Sequence, residues 1–422
     1  MHIGVYGSGY LGTVLSACLA DFGTPVTCCD ENAARLNSLA QGNIPFFEKN
    51  LQDVVRRNLR AGRLIYSTDL ASFAAKSQAI FMAEDSHHYI EEVALKLARM
   101  AARNAFLILV TPVPVGTAGR IEKKLKDAGV PMVVVSHPVF VTDGCAVEDF
   151  NWPDRIVLGT DSTQAVTMVK QIYRPLAMRG VPVIVTNHET AELVREASTA
   201  FCATKISFIN EIAGLCEHVG ADAVDLSLAL GLDKKIAPRC LQPGAGFGGP
   251  FVEHDMDSLA QLATGKGIAL KILAAAREVN VSLSDRVVHK LHAMMESVMG
   301  KEVGILGLAF KPNTNSVAAS SSILLARRLL AQGAHVRAYD PVALPTAKME
   351  LNGSVRYCEN AYQTAEGAEA LVVGTGWPEF RALDFDKIKR LLKRPVLVDT
   401  KNLLDGPRMK AMGFQYAGVG RR

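Results

Sequence analysis

Along the first half of the chain, short runs of β-branched and aliphatic residues alternate with longer stretches whose apolar positions return every three or four residues. His2–Tyr6, Val26–Cys29, Ala79–Ala83, Phe106–Val110, Met132–Val135, Arg155–Leu158 and Pro182–Val185 are the candidate strands. Strands that alternate with helical patterns predict a parallel sheet with helices on both faces. From about Glu189 the pattern changes. Residues 189–219 and 266–298 read as long helices with few breakers, separated by a glycine-rich segment. A second alternation begins near Lys301, with strands at Val303–Leu306, His335–Tyr339, Ala370–Val373 and Val396–Asp399 and a helix near Ser321–Gln332. The expected plan is α/β: two doubly wound domains, 1–187 and 299–422, joined by a long-helix connector, 188–298.

Composition agrees with that plan. A chain of 422 residues, 49% hydrophobic, is long enough for two or three domains with sizeable cores. The net charge of +4 lends no electrostatic support to nucleic-acid binding. No apolar run reaches the roughly 20 residues of a membrane helix. MHIGVYGSGYLG enters a strand at once, so no signal peptide is expected and a cytoplasmic location is. Eight cysteines (18, 28, 29, 145, 202, 216, 240 and 358) show no metal-ligand spacing and are expected to be buried thiols in a reducing compartment. His87 and His88 follow Asp85 and Ser86 in a polar turn, which reads as a surface pair. No metal is expected.

Gly7, Gly9 and Gly12 form GxGxxG directly after a strand and directly before a helix. Gly7 permits a tight turn, Gly9 lets the backbone approach a pyrophosphate, and Gly12 allows close helix–strand packing. The amides of the helix that follows, from Tyr10 and Leu11 onward, face the anion. Asp30 ends the second strand, where a carboxylate accepts from both ribose hydroxyls and repels a 2′-phosphate. The cofactor expected is NAD rather than NADP. Both doubly wound domains are then Rossmann-like, Asp340 closing the second strand of the latter domain as Asp30 does in the former.

The ordered series Gly7–Gly12, PVGT (Pro114–Thr117), PDRIVLG (Pro153–Gly159), AEL (Ala191–Leu193), AFCATKISFINEIA (Ala200–Ala213), GAGFGGPFVEHD (Gly244–Asp255), GLAFKPNT (Gly307–Thr314), YDP (Tyr339–Pro341) and GVGR (Gly418–Arg421) resembles the UDP-glucose/GDP-mannose dehydrogenase family over nearly the whole chain. The resemblance implies an NAD-binding first domain, a dimerising central region and a UDP-sugar-binding third domain. It also implies a homodimer, a nucleotide sugar as ligand, and two NAD-dependent steps that turn a sugar's primary alcohol into a carboxylate. Those steps need a base or base-activated water, a thiolate that captures the aldehyde, a cation for the oxyanion and a carboxylate that positions water.

Carried across residue by residue, the family's catalytic cysteine falls on Phe251, its lysine on Arg195, its asparagine on Thr199, its glutamate on Val139 and its threonine on Pro112. Only its aspartate is retained, as Asp255. His254 stands beside it and is a competent base near neutral pH. Cys240 and Cys145 are further candidate nucleophiles, for which packing is the simpler account. On the substrate side, Lys311, Gly248, Gly249, Arg195 and Lys401 are the candidates, and Ala318, Lys401 and Lys235 stand where the family has arginines. The stretch Glu84–Tyr89 looks shorter than the family's loop at that point. Two readings stay open: an NAD-dependent oxidoreductase limited to a two-electron step on a sugar CH–OH, with Asp255 and His254 as base, or a non-catalytic homologue that acts as a ligand sensor or structural partner.

Overall fold

Most of the runs marked as strands are apolar on both sides and are buried between helical layers, whereas in Pro182–Val185 both Ile184 and Val185 are 48% exposed. A computed structural model describes residues 1–84 and 88–421. His87, with Asp85 and Ser86, lies outside the described residues, and so does the middle of the Glu84–Tyr89 stretch. The chain divides into two units, Met1–Ala197 and Ser198–Arg422.

In the first unit, β1 (Ile3–Tyr6), β2 (Val26–Cys29), β3 (Leu64–Ser67), β4 (Ala79–Met82), β5 (Phe106–Leu109), β6 (Val133–Ser136), β7 (Ile156–Gly159) and β8 (Val183–Thr186) form one sheet in the order 3-2-1-4-5-6-7-8. All neighbours are parallel except β6 and β7, which meet antiparallel at Ser136 and Gly159. Val5, Phe81 and Ile108 belong to the core on one face, and Tyr6, Met82 and Leu109 to the core on the other. That is the two-residue period of a strand buried on both sides. The order reverses between β1 and β4, so the carboxyl ends of those strands open a crevice. The sequence pattern missed β3, a short edge strand whose apolar run is only Leu64–Tyr66 and whose Ile65 is 51% exposed. The helices that bear on the site are α1 (Tyr10–Asp21), α2 (Thr117–Asp127), α3 (Ala146–Asn151) and the first part of α4 (His188–Val219).

The second unit holds the rest of α4, then α5 (Ala223–Leu232), α6 (Pro250–Gly265), α7 (Lys271–Met295) and α8 (Ser321–Ala331). The helix expected over 266–298 begins only at Lys271 and ends at Met295. Gly267, at φ +71°, and Glu296, at φ +69°, break it off at either end. β9 (Glu302–Leu306), β10 (His335–Tyr339), β11 (Arg356–Tyr357), β12 (Ala370–Val373), β13 (Val396–Asp399) and β14 (Gln415–Ala417) form an all-parallel sheet in the order 11-10-9-12-13-14. Its connectivity repeats that of β1–β6 in the first unit. The expected pair of Rossmann-like domains is therefore present. Among the described residues no helix is long and apolar enough to cross a membrane, and no cluster of metal-ligating side chains occurs.

Candidate functional site

Gly7 turns the chain off β1 at φ +102°, and a Cβ there would lie 2.4 Å from the Ala83 carbonyl oxygen. A Cβ on Gly12 would lie 2.0 Å from the Gly7 oxygen. Only glycine fits either place. Gly9 caps α1 without any side-chain hydrogen bond, so the first amides of the helix remain donors for an anion. Asp30, just beyond β2, is tied to the same turn. The Ser8 amide (2.7 Å) and hydroxyl (2.6 Å) donate to its Oδ2 and the Asn32 amide (2.8 Å) to its Oδ1. Burial raises the Asp30 carboxyl, but these donors outweigh it and hold it below the usual carboxylate range. Two carboxylate oxygens offer about four acceptor sites, so three donors leave capacity for a ribose hydroxyl. The cradle fits a dinucleotide.

The side chains of the next two residues are committed elsewhere, which limits their part in such a site to backbone. Leu11 is in the core. Tyr10 packs on Phe46 and donates to Glu48 Oε2 at 2.6 Å. Glu48 in turn accepts from the Gly144 and Ala146 amides at 2.5 and 3.0 Å, capping α3 and fixing the loop that follows the HPVF run. Burial raises the Glu48 carboxyl despite these donors. No local sequence signal marks Glu48, because its partners lie far along the chain.

The first unit also holds Arg195, Pro112 and Val139, three of the positions on which the resemblance places catalytic residues. Glu192, in the second turn of α4, accepts from the Gly116 and Ala118 amides at 2.6 and 2.9 Å and so caps α2. Arg195, one turn on, lines a small cleft with Thr111, Pro112, Pro138, Glu192 and Glu196. Val139 does not face that cleft but belongs to the core. His137 is buried beside it. The Val157 carbonyl can only accept, so His137 Nδ1–H donates to it at 2.9 Å and Nε2 accepts from the Tyr173 hydroxyl at 2.9 Å. Burial lowers its imidazole to about 4.

In the second unit the glycine-rich loop is clamped from several sides. The Gly244 amide donates to Asn210 Oδ1 (2.8 Å), and Asn280 bonds both the amide and the carbonyl of Phe247 (2.9 and 3.1 Å). The Gly249 amide reaches the Ala318 carbonyl at 3.1 Å. Gly249 has φ +100°, and its Cβ would sit 2.7 Å from the Phe310 ring; a Cβ on Gly248 would meet the Ala319 oxygen at 2.3 Å. On that side these glycines serve packing within the chain. The sequence pattern did not pick out Asn210 or Asn280, whose role comes from tertiary contacts.

Pro250 opens α6 and Phe251, half-buried, sits in its first turn. Peptide dipoles there would stabilise a thiolate, and phenylalanine supplies none. Asp255, one turn further, is 1% exposed and accepts from Thr199 Oγ1 at 2.8 Å. Thr199, on which the resemblance places the family's asparagine, thus donates to the aspartate. His254 Nδ1 lies 3.5 Å from Asp255 Oδ1, and its side chain is 43% exposed. Cys145 and Cys240 are half-buried. Cys145 stands at the N-terminal cap of α3.

The third domain's own turn differs from the first. Asp340 is 1% exposed and accepts from the amides of Leu308, Ala309, Val342 and Ala343 and from Trp377 Nε1. Five donors exhaust its two oxygens, so it has no capacity for a ribose. Lys311 is half-buried with its ammonium 5.7 Å above the Phe310 ring. Lys401 is partly exposed as a residue, but protein surrounds its ammonium, and burial lowers that group to about 8 against the pull of Asp399. Ala318 is exposed, as is Lys235.

Residues 1–177 match the model of the UDP-glucose/GDP-mannose dehydrogenase family's NAD binding domain, 189–282 its central domain and 304–406 its UDP binding domain. The chain is 37% identical to the UDP-glucose 6-dehydrogenase TuaD of Bacillus subtilis, covering 99% of this chain and 93% of that protein. It is 36% identical to a UDP-glucose 6-dehydrogenase of Rhizobium meliloti, with full coverage of both. The structure of a UDP-glucose dehydrogenase from Pyrobaculum islandicum superimposes with a TM-score of 0.90 at 30% identity, covering 100% of this chain and 98% of that one.

Proposed function

The chain belongs to the UDP-glucose/GDP-mannose dehydrogenase family, and we propose that it keeps the family's binding sites for NAD and a UDP-sugar but lacks the cysteine-dependent oxidation to a uronic acid. The observation that carries this reading is Phe251, seated in the first turn of α6 at the end of a glycine loop whose clamps are all in place. The domain boundaries we propose are 1–187 for NAD, 188–298 for the central region and 299–422 for the UDP-sugar. Gly7, Gly9, Gly12 and Asp30, with the backbone at Tyr10 and Leu11, would hold NAD. Arg195, Gly248, Gly249, Lys311 and Lys401 are the proposed contacts to the UDP-sugar.

At most a two-electron oxidation of a sugar CH–OH remains. Bound NAD would supply the hydride acceptor. The hydroxyl proton would pass to His254 Nε2, since Asp255 Oδ1 lies toward Nδ1 and favours the tautomer that carries its proton there. A second reading is a homologue without turnover, serving as sensor or structural partner. It is favoured by Val139, which puts an aliphatic side chain into the core where the family has a carboxylate. We propose a homodimer through the exposed Ile272 and Val281 of α7 and the preceding Ile268, and a cytoplasmic location. A monomer in sedimentation at micromolar concentration would contradict the former, and recovery with the membrane or secreted fraction the latter.

Calorimetric titration tests the NAD site. Asp30→Ala is expected to weaken NAD about 10- to 100-fold, because hydrogen bonds to a charged group are worth about 1.5–3 kcal/mol. The parent should bind NAD more tightly than NADP. Unchanged affinity in the variant, or tighter NADP binding by the parent, overturns the assignment.

A further inference from the structure

All eight cysteines are unbridged, and three of them, Cys145, Cys202 and Cys240, reach solvent. Two of these three share a hydrogen bond: Cys240, in the loop between α5 and the glycine-rich segment, and Cys202 on α4. Their approach is fixed by a neighbour. Lys205 lies three residues after Cys202, on the same helix face. Its ammonium donates to the carbonyls of Ile236, Ala237 and Arg239 at 2.9, 3.1 and 2.7 Å. The last of those carbonyls immediately precedes Cys240, so Lys205 holds the loop against α4 beside Cys202. Ala237 and Cys240 both take left-handed backbone, each with φ +63°. Side chains avoid that conformation, and it persists where surrounding contacts impose it.

We propose that Cys202 and Cys240 form a reversible intramolecular disulfide, a modification site whose co-reactant is a small-molecule disulfide such as oxidised glutathione. A thiolate from one cysteine attacks a sulfur of the small disulfide and expels one small thiolate. The second cysteine then loses its proton, attacks the protein sulfur of the mixed disulfide and expels the other small thiolate. Two protein thiols are oxidised and one small disulfide is reduced to two thiols. The hydrogen bond with Cys202 and then burial hold the Cys240 thiol well above the ordinary range, with Lys205 and Arg239 pulling the other way. Exchange therefore quickens as pH rises. Once formed, the bond ties to α4 the loop that carries the exposed Lys234, Lys235 and Arg239.

The full-length protein is incubated with oxidised glutathione at mildly alkaline pH, free thiols are alkylated, and tryptic peptides are weighed. Lys205 and Arg239 place the two cysteines on separate peptides. The expected main product is a linked pair containing Cys202 and Cys240, lost on treatment with dithiothreitol. In Cys240→Ser, Cys202 should instead retain a glutathione adduct. Recovery of both cysteines alkylated, of stable glutathione adducts on the unaltered protein, or of either cysteine bridged to a different one overturns the proposal.

Discussion

Phe251→Cys alone is expected to leave the protein unable to make UDP-glucuronate from UDP-glucose and NAD. A thiol in the first turn of α6 would gain from the helix N-terminus, yet in the proposed reading the roles around it stay vacant. Val139 packs in the core and cannot position hydrolytic water. Arg195 presents a guanidinium where a base would be needed, and arginine is not a general base near neutral pH. Pro112, in the same cleft, has no hydroxyl. Positioned proton transfer contributes about 10²–10⁴ in rate, and loss of one oxyanion donor costs about 10²–10³. Such effects do not add, because the groups act as a unit. The restored nucleophile is therefore expected to yield no uronate above background over hours, measured by chromatography of the sugar nucleotides. Uronate formation within about tenfold of an ordinary enzyme turnover of about 10 s⁻¹ would show that Phe251 is the sole defect.

The second large effect is on stability. His137 is buried with its imidazole lowered to about 4, whereas in the unfolded chain it titrates near the ordinary value of about 6.5. Between those values the unfolded state binds a proton that the native state does not. Stability is therefore complete above about 6.5 and is lost as pH falls toward 4. At about 1.36 kcal/mol per unit, the full loss is about 3 kcal/mol, of which about 2 kcal/mol falls between pH 7 and 5. Glu48 and Glu192, raised by burial, act in the opposite direction. Comparison with His137→Asn removes them. Urea unfolding at both pH values should show the parent losing about 2 kcal/mol more than the variant. An equal loss in both would mean that His137 does not carry the acid sensitivity.

Much of the fold was legible because its signals are local. β1, the Gly7–Gly12 turn and α1 are adjacent in sequence, and Asp30 follows directly on β2, so strand, turn and acid can be read in a window of thirty residues. The edge strand β3 was not, since Leu64, Ile65 and Tyr66 make an apolar run of only three residues, too short to declare a buried strand. The helix expected from 266 was started too early, although Gly267 is a local stop signal: it takes left-handed backbone in open space just past the end of α6. In the site, substituted positions such as Phe251 and Val139 stood out against the family pattern. The groups that hold the site did not. Glu48, Glu192, Asn210 and Asn280 act through partners distant in sequence, and an isolated Glu or Asn on a helix carries no mark of a buried bond. Thr199 shows the converse: it departs from the pattern yet still donates to Asp255.

The yield of NADH per UDP-glucose separates two-electron from four-electron chemistry most directly. Purified protein, given excess NAD and a limiting amount of UDP-glucose, is followed at the NADH absorbance while the sugar nucleotides are separated. A cysteine-dependent four-electron oxidation yields two NADH and one UDP-glucuronate per UDP-glucose. The reading argued from Phe251 predicts at most one NADH per UDP-glucose and no uronate. Two NADH per UDP-glucose, with uronate accumulating in step, would contradict it.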